Sequence, residues 1–209
     1  MLLSEILNLD EKLRALRSTV AVVDRIHHFP QLLEFPVVAT RGRYEAGSYV
    51  GLFRPKVPVR ICISVHARYP DLTLLHEVGH MLDHMAFKPV KPGYGSEHAV
   101  EFDSLRKLWR TSKTVRLMER VAMSRRRVAT AQDRRFLQYQ LLPRELWART
   151  YVQWICARAQ DARVGELLKK SREEGSVFAG VSCSFYWEDE EFNDIIVAVE
   201  ELFRDASLI

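Results

Sequence analysis

The hydrophobic pattern divides the chain into a short β-rich part and longer helical parts. Between residues 35 and 66, β-branched and aromatic runs are separated by Gly and Pro, which predicts a small sheet. Within it, residues 59–65 alternate apolar and polar positions, as a strand with one face on a core does. Residues 18–35 are ambiguous. Apolar positions at helical spacing predict helices over residues 3–17, 96–127 (as one helix or two), 128–142, 144–171 and 189–206.

A further helix is predicted between Pro70-Asp71 and Lys88-Pro89. Asp71 can cap the free amides at its start, and Pro89 requires the helix to end before it. One face of this helix is apolar and is predicted to be buried; it carries Leu75, Gly79, Leu82 and Ala86.

The same helix carries the pentapeptide His76-Glu77-Val78-Gly79-His80. Two histidines four residues apart lie one helical turn from each other and can share a metal ion, and Glu77 can reach a water on that metal. An arbitrary pair of histidines at this spacing is more often part of a polar face. The adjacent Glu77, the apolar flanks and the helix start upstream favour metal binding, with Glu77 as the general base.

A third metal ligand is not expected on the same helix as the two histidines. His84 lies eight residues beyond His76, about 12 Å along the helix axis, so one ion cannot bind both. We interpret His84 as a surface residue or one that supports the site from behind. Asp83 and Ala86 stand where the longer H-E-x-x-H-x-x-G-x-x-H motif has glycine and histidine. Asp83 could orient a ligand or face solvent.

A cysteine ligand is disfavoured, because the three cysteines are isolated in apolar stretches and suit small core positions. A carboxylate or a histidine on a later helix remains. Glu145 is the best candidate, at the start of a strongly apolar helix that follows Pro143. On spacing alone, a first-turn glutamate that simply complements the helix dipole is the better interpretation.

The segment Glu145-Leu-Trp-Ala-Arg-Thr-Tyr, which follows the HEVGH pentapeptide at a distance, resembles a motif of the gluzincin branch of zincin metallopeptidases. The chain is similar to peptidase domains of phage and mobile-element proteins and, more distantly, to the catalytic domain of anthrax lethal factor. The second motif there resembles E-[LF]-[FW]-A-[RE]-x-[FY]. The resemblance covers residues 40–205 and includes Tyr139 and the aromatic-acidic segment 186–192. The long basic spacer departs from it, and gluzincins that cut repressors, with Ala-Asn after the glutamate, fit less well.

The resemblance implies a zinc-dependent endopeptidase that acts on a protein or peptide, with Glu77 as general base. A phenol from Tyr139 or Tyr186 could stabilise the oxyanion, although a buried core tyrosine is the alternative interpretation of each. The Zn²⁺ ligands that the resemblance implies are His76, His80 and Glu145.

The implied fold is α+β and zincin-like: a small twisted, mostly N-terminal sheet packs on a predominantly helical domain with the HExxH helix in the core. We expect one domain over residues 1–209, with a helical N-terminal extension over 1–34 and a basic helical insert over 106–135. The strand at residues 59–66 is either an open edge, onto which an extended peptide can add, or a covered interior strand.

Composition sets the class of protein. Hydrophobic residues make up 47% of the chain and charged residues 28%, as in ordinary soluble domains. No apolar run approaches the roughly 18 residues of a membrane span, the N-terminus does not read as a secretory signal, and three unpaired cysteines do not suit a disulfide framework. We therefore expect a cytoplasmic protein without a membrane partner.

The charge is unevenly distributed. Residues 106–135 contain eleven Lys and Arg but only two acids, Glu119 and Asp133. This segment could bind nucleic acid or an acidic partner, dock onto the acidic stretch after Tyr186, or form a solvated helix face. The alternative function is therefore a zincin-fold accessory protein of a phage or mobile element, with a structural or vestigial metal site.

Overall fold

The computed structural model describes residues 2–27, 34–42, 45–87, 89, 91–124, 130–178 and 181–209. They form an α+β structure, which confirms the predicted class. The helices are α1 (Leu3–Ile6), α2 (Arg17–Asp24), α3 (Pro70–Met85), α4 (Gly95–His98), α5 (Asp103–Thr111), α6 (Lys113–Met123), α7 (Ala131–Gln140), α8 (Pro143–Ala159), α9 (Ala162–Glu174) and α10 (Asp189–Asp205). The strands are β1 (Leu7–Leu9), β2 (Phe35–Thr40), β3 (Gly47–Phe53), β4 (Lys56–Ser64), β5 (Ser176–Phe178) and β6 (Val181–Cys183).

The N-terminal segment is not the purely helical extension predicted over residues 1–34. After α1 the chain forms β1, which pairs in parallel with β2, before a 3₁₀ helix leads into α2. The amide of Asp10 extends this pairing by donating to the carbonyl of Val37 at 2.9 Å. Main-chain pairing with the sheet therefore interrupts the helix predicted over residues 3–17. Residues 28–33 lie outside the described ranges.

The main sheet has the strand order β1-β2-β4-β3, in which β1, β2 and β4 run parallel and β3 is antiparallel to β4. The strand predicted at residues 59–66 corresponds to β4, so it is an interior strand and its open-edge alternative is wrong. β3 ends the sheet, and both β3 and β4 pack on α3.

The motif helix α3 begins one residue earlier than predicted, with Pro70 in its first turn. Asp71 does not cap the helix. Its carboxylate instead accepts hydrogen bonds from the Thr19 hydroxyl and from the Arg163 guanidinium, the latter at 2.6 Å. The start of α3 is thus tied to α2 and α9.

Close contact between α3 and α8 occurs at Gly79, on the predicted buried face. A Cβ atom at Gly79 would lie 3.1 Å from Cα of Ala148 and 3.2 Å from Cβ of Tyr151. The Trp147 indole N–H donates to the Gly79 carbonyl at 2.8 Å. Glycine in the pentapeptide therefore lets α8 approach α3 closely enough to bring Glu145 to the two histidines.

The remaining helices refine the predicted pattern. The helix predicted over residues 144–171 is two helices, because Gln160 adopts a left-handed conformation (φ 50°) and Asp161 caps α9. The basic segment 106–135 contributes the buried side chains of Trp109, Val115 and Met118 to the core. The hairpin β5–β6 has no counterpart in the prediction. Across the described ranges, every helix is too short or too polar to cross a lipid bilayer.

Candidate metal centre

The side chains of His76, His80 and Glu145 converge at the contact of α3 and α8. The two Nε2 atoms are 3.1 Å apart; that of His76 lies 3.3 Å from one carboxylate oxygen of Glu145, and that of His80 lies 3.6 Å from the other. Ligands of a tetrahedral ion at about 2.0–2.1 Å are themselves about 3.3–3.4 Å apart. The separations between the three side chains are close to these values, and one ligand atom from each residue lies within 4.8 Å of the others, so this triad forms a possible metal-binding group.

The protonation of these candidate ligands also suits a cation. Burial, with the neighbouring His76, lowers the pKa of His80 to about 3, so its imidazole is neutral at pH 7. Burial acts to raise the pKa of Glu145, but His76, His80 and the Tyr139 phenol outweigh it and lower this pKa to about 2. Both groups are deprotonated at neutral pH, as metal binding requires.

The side chain of Glu77, on the motif helix, points toward the edge strand β3. Burial is the main cause that raises its pKa to about 7, while the amide of Tyr49, which donates to it, acts to lower the pKa. A Cβ at Gly47 would lie only 3.0 Å from Oε1 of Glu77. The glycine thus lets β3 pass close to this carboxylate, whose pKa is matched to proton transfer near neutral pH.

His84 is buried, so its interpretation as a surface residue is wrong. Its Nδ1 atom lies 2.7 Å from the Tyr49 hydroxyl, and its ring packs edge-on against Phe53 with centroids 4.5 Å apart. Burial lowers the pKa of His84 to about 4. His84 therefore supports the edge strand from behind the site.

Asp83 is fully buried, which contradicts its solvent-facing interpretation, and its described hydrogen bonds do not reach a metal ligand. Its two carboxylate oxygens accept from the amide and the hydroxyl of Ser96. Gly95, between Tyr94 and Ser96, lies so close to α3 and the residues after it that a Cβ there would be 2.6 Å from Cβ of Phe87. Asp83 thus holds the chain after Tyr94 against α3 rather than orienting a histidine.

The triad lies in a cleft of about 750 Å³. Its walls include both tyrosines that the sequence singled out. Tyr139 is 46% exposed and its phenol reaches the carboxylate of Glu145; Tyr186 is half-buried. The edge strand β3 supplies Gly47, Ser48 and Tyr49 to the opposite side.

Two further residues of the cleft escaped the sequence analysis in this role. Tyr94 lies against His80, with ring centroids 5.7 Å apart. Arg144 lies 5.9 Å from the ring centroids of both Tyr94 and Tyr139, and its guanidinium pairs with Glu97 at 3.0 Å. No spacing or motif links Tyr94, in a Pro/Gly loop, to a helix that begins more than twenty residues earlier.

A buried guanidinium fixes the walls of the cleft. Arg149 donates to the carbonyls of Glu145 (3.1 Å), Phe185 (2.9 Å) and Gln140. It thereby joins α8 to the end of α7 and to the segment that carries Tyr186. Burial lowers the pKa of Arg149 to about 10, so it remains charged at neutral pH.

The chain matches no protein-family model, and neither curated proteins nor solved structures are detectably similar to it. The case for a function therefore rests on the geometry of this centre.

Proposed function

We propose that the protein is a zinc-dependent endopeptidase of the zincin type. The observation that carries this proposal is the convergence of His76, His80 and Glu145 beside a buried Glu77, at the floor of an open cleft. Two imidazoles and one carboxylate are a donor set that zinc takes in catalytic sites and that leaves one position open.

Bound zinc would supply Lewis acidity for a scissile carbonyl and for the attacking water. Glu77 takes one proton from this water as its oxygen forms the new bond to the carbonyl carbon. Glu77 then gives the proton to the amine nitrogen as the carbon–nitrogen bond breaks. Proton and bond changes thus balance without a co-reactant.

The edge strand β3 is the proposed docking site for the substrate backbone. It ends the main sheet, and its residues 47–49 line the cleft beside Glu77. An extended peptide can add to such an edge through main-chain hydrogen bonds, which are independent of side-chain identity. The sequence suggested β4 as the strand to which a peptide adds, but β3, not β4, is the strand at the end of the sheet.

The test is hydrolysis of denatured casein by the zinc-loaded protein, with peptides identified by mass spectrometry. Glu77→Gln should abolish cleavage and retain zinc, because the amide keeps the shape of the carboxylate but cannot take a proton. Glu119→Gln, on α6 outside the cleft, is the matched control and should cleave as wild type does. Cleavage by Glu77→Gln at the wild-type rate would refute the proposed mechanism.

A second candidate function is polyanion binding by the basic segment. Part of that segment docks onto the acidic C-terminal helix, because Glu191 accepts from the amides of Lys113 and Thr114. The basic side chains of α5 and α6 remain available: in the described parts of the chain, no ion pair involves Lys107, Arg110, Lys113, Arg116 or Arg120.

This second candidate predicts retention of the protein on double-stranded DNA that weakens steeply with salt. Retention that survives zinc removal and Glu77→Gln, but is lost in Arg116→Ala/Arg120→Ala, would favour the accessory role. Absence of retention at about 50 mM salt would rule out polyanion binding and support the interpretation of the basic segment as a solvated helix face.

A further inference from the structure

Most phenols in the cleft are already engaged by protein groups. Its lining includes Tyr49, Tyr69, Tyr94, Tyr139 and Tyr186. The hydroxyl of Tyr49 bonds His84, that of Tyr69 donates to Glu174, and that of Tyr139 reaches Glu145. Tyr94 and Tyr186 have no hydroxyl hydrogen bond among the described residues.

The surroundings of these two phenols differ. Tyr186 lies near the buried side chains of Cys156 and Arg149, which affect its pKa together with burial. Burial is the main cause that raises the pKa of Tyr94, and the charges of Asp83, Arg144, Glu77 and Glu145 also act on this pKa. The Tyr94 ring also lies beside that of His80, with centroids 5.7 Å apart. Tyr94 is therefore placed at the candidate metal centre, whereas Tyr186 lines the cleft beside Arg149 and Cys156.

The backbone and ring of Tyr94 are held from both sides. Ser96, two residues later, is bonded to buried Asp83 through its amide at 2.6 Å and through its hydroxyl. The Tyr94 ring packs edge-on against Phe53 at 5.4 Å and lies 5.9 Å from the Arg144 guanidinium. Such a ring keeps its place without help from its own hydroxyl, which leaves that hydroxyl free for a ligand.

We propose that Tyr94 is a substrate-contacting residue whose phenol donates a hydrogen bond to the scissile carbonyl oxygen of a bound peptide. The donor gains strength as negative charge develops on that oxygen, and loss of one such donor lowers kcat by about 10²–10³. This inference rests on the proposed peptidase function. It moves the oxyanion role from Tyr139 and Tyr186 to a residue outside the recognised motifs.

The test uses acetohydroxamate, a small carbonyl compound that binds zinc, and measures its affinity for the zinc-loaded protein by titration calorimetry. Tyr94→Phe keeps the ring and its packing and removes only the hydroxyl. Zinc content should remain that of wild type, and Kd for acetohydroxamate should rise about 10- to 100-fold, as expected for a lost hydrogen bond to a charged group. Tyr151→Phe, which removes a hydroxyl buried in the core outside the cleft lining, is the control and should leave this Kd unchanged.

Three outcomes separate the claims. Wild-type affinity in Tyr94→Phe would overturn the role of Tyr94 and leave the peptidase proposal standing. Loss of zinc from Tyr94→Phe would show a structural role and also overturn it. A wild-type protein that binds no zinc would overturn the proposed function itself, and the role of Tyr94 with it.

Discussion

The indole N–H of Trp147 donates to the main-chain carbonyl of Gly79 at 2.8 Å, and this bond joins the two helices that carry the candidate metal ligands. Gly79 stands between the histidines of the pentapeptide, and Trp147 lies two residues after Glu145. Both partners are buried, so the bond is shielded from water. It fixes the register of α8 on α3 and, with it, the separation of the three candidate ligands.

Gly79→Ala should weaken both folding and metal binding. The new methyl group would crowd Ala148 and Tyr151. Because one of the crowded atoms is a main-chain atom of α8, the clash is relieved only if α8 moves away from α3. We expect a loss of about 1–3 kcal/mol in the free energy of unfolding, as for other overpacked cores. Urea denaturation measures this loss, and competition with a zinc chelator measures the accompanying fall in affinity.

Gly165→Ala is the matched control for this experiment. Gly165 lies inside α9, where a Cβ would meet nothing within 4 Å. Alanine favours helix by about 1 kcal/mol over glycine, so this variant should be as stable as wild type or more so. Equal effects of the two substitutions would contradict the close contact of α3 and α8.

Arg149→Lys should destabilise the protein despite preserving the charge. A lysine ammonium cannot hold the carbonyls of Glu145, Gln140 and Phe185 together, because it lacks the planar fork of guanidinium. Loss of two charge-assisted bonds predicts a decrease of about 3 kcal/mol or more in urea-measured stability. Arg158→Lys, on the same helix but half exposed and paired with Glu200, should change stability by less than about 0.5 kcal/mol.

Asp83 should make stability fall as pH rises toward neutrality. Burial raises the pKa of its folded-state carboxyl to about 7, above the ordinary value of 3.8. Between these values the folded state binds the proton that the unfolded state has lost, so this group's contribution to stability decreases with pH and levels off above 7. Asp83→Asn removes this dependence.

The measurement for Asp83 is urea denaturation of both proteins at pH 5, 6, 7 and 8. The stability of wild type relative to Asp83→Asn should decline by up to about 1.4 kcal/mol per pH unit and then level off. A constant difference across this range would show that the carboxyl titrates normally in the folded protein.

The sequence predicted the arrangement of the candidate site more directly where its residues share one helix. His76, Glu77 and His80 follow from a local spacing on α3, and that helix formed within a residue of its predicted start. Glu145 needed a resemblance in addition, because nothing local tells a ligand from a glutamate at a helix start. The structure supplies the missing relation through the contact of α8 at Gly79.

The errors came from contacts between distant segments. Strand β1 stands in place of part of a predicted helix, because its main chain pairs in parallel with Phe35–Val37 of β2. Asp83 and His84 look like polar-face residues in sequence, yet Ser96 and Tyr49 bond them in the interior. Tyr94 reaches the cleft through a loop whose path depends on these bonds. Periodicity along one segment contains no information about such partners.

The measurement that tests the central claim most directly is zinc analysis of purified wild type, His80→Ala and Glu145→Ala by mass spectrometry, with Glu97→Ala as a folded control beside the site. We predict about one zinc per wild-type chain and per Glu97→Ala chain, and less than about a tenth of that in the other two variants, because each loses one of three protein ligands. Full zinc in Glu145→Ala, or none in wild type, would contradict the His76/His80/Glu145 centre.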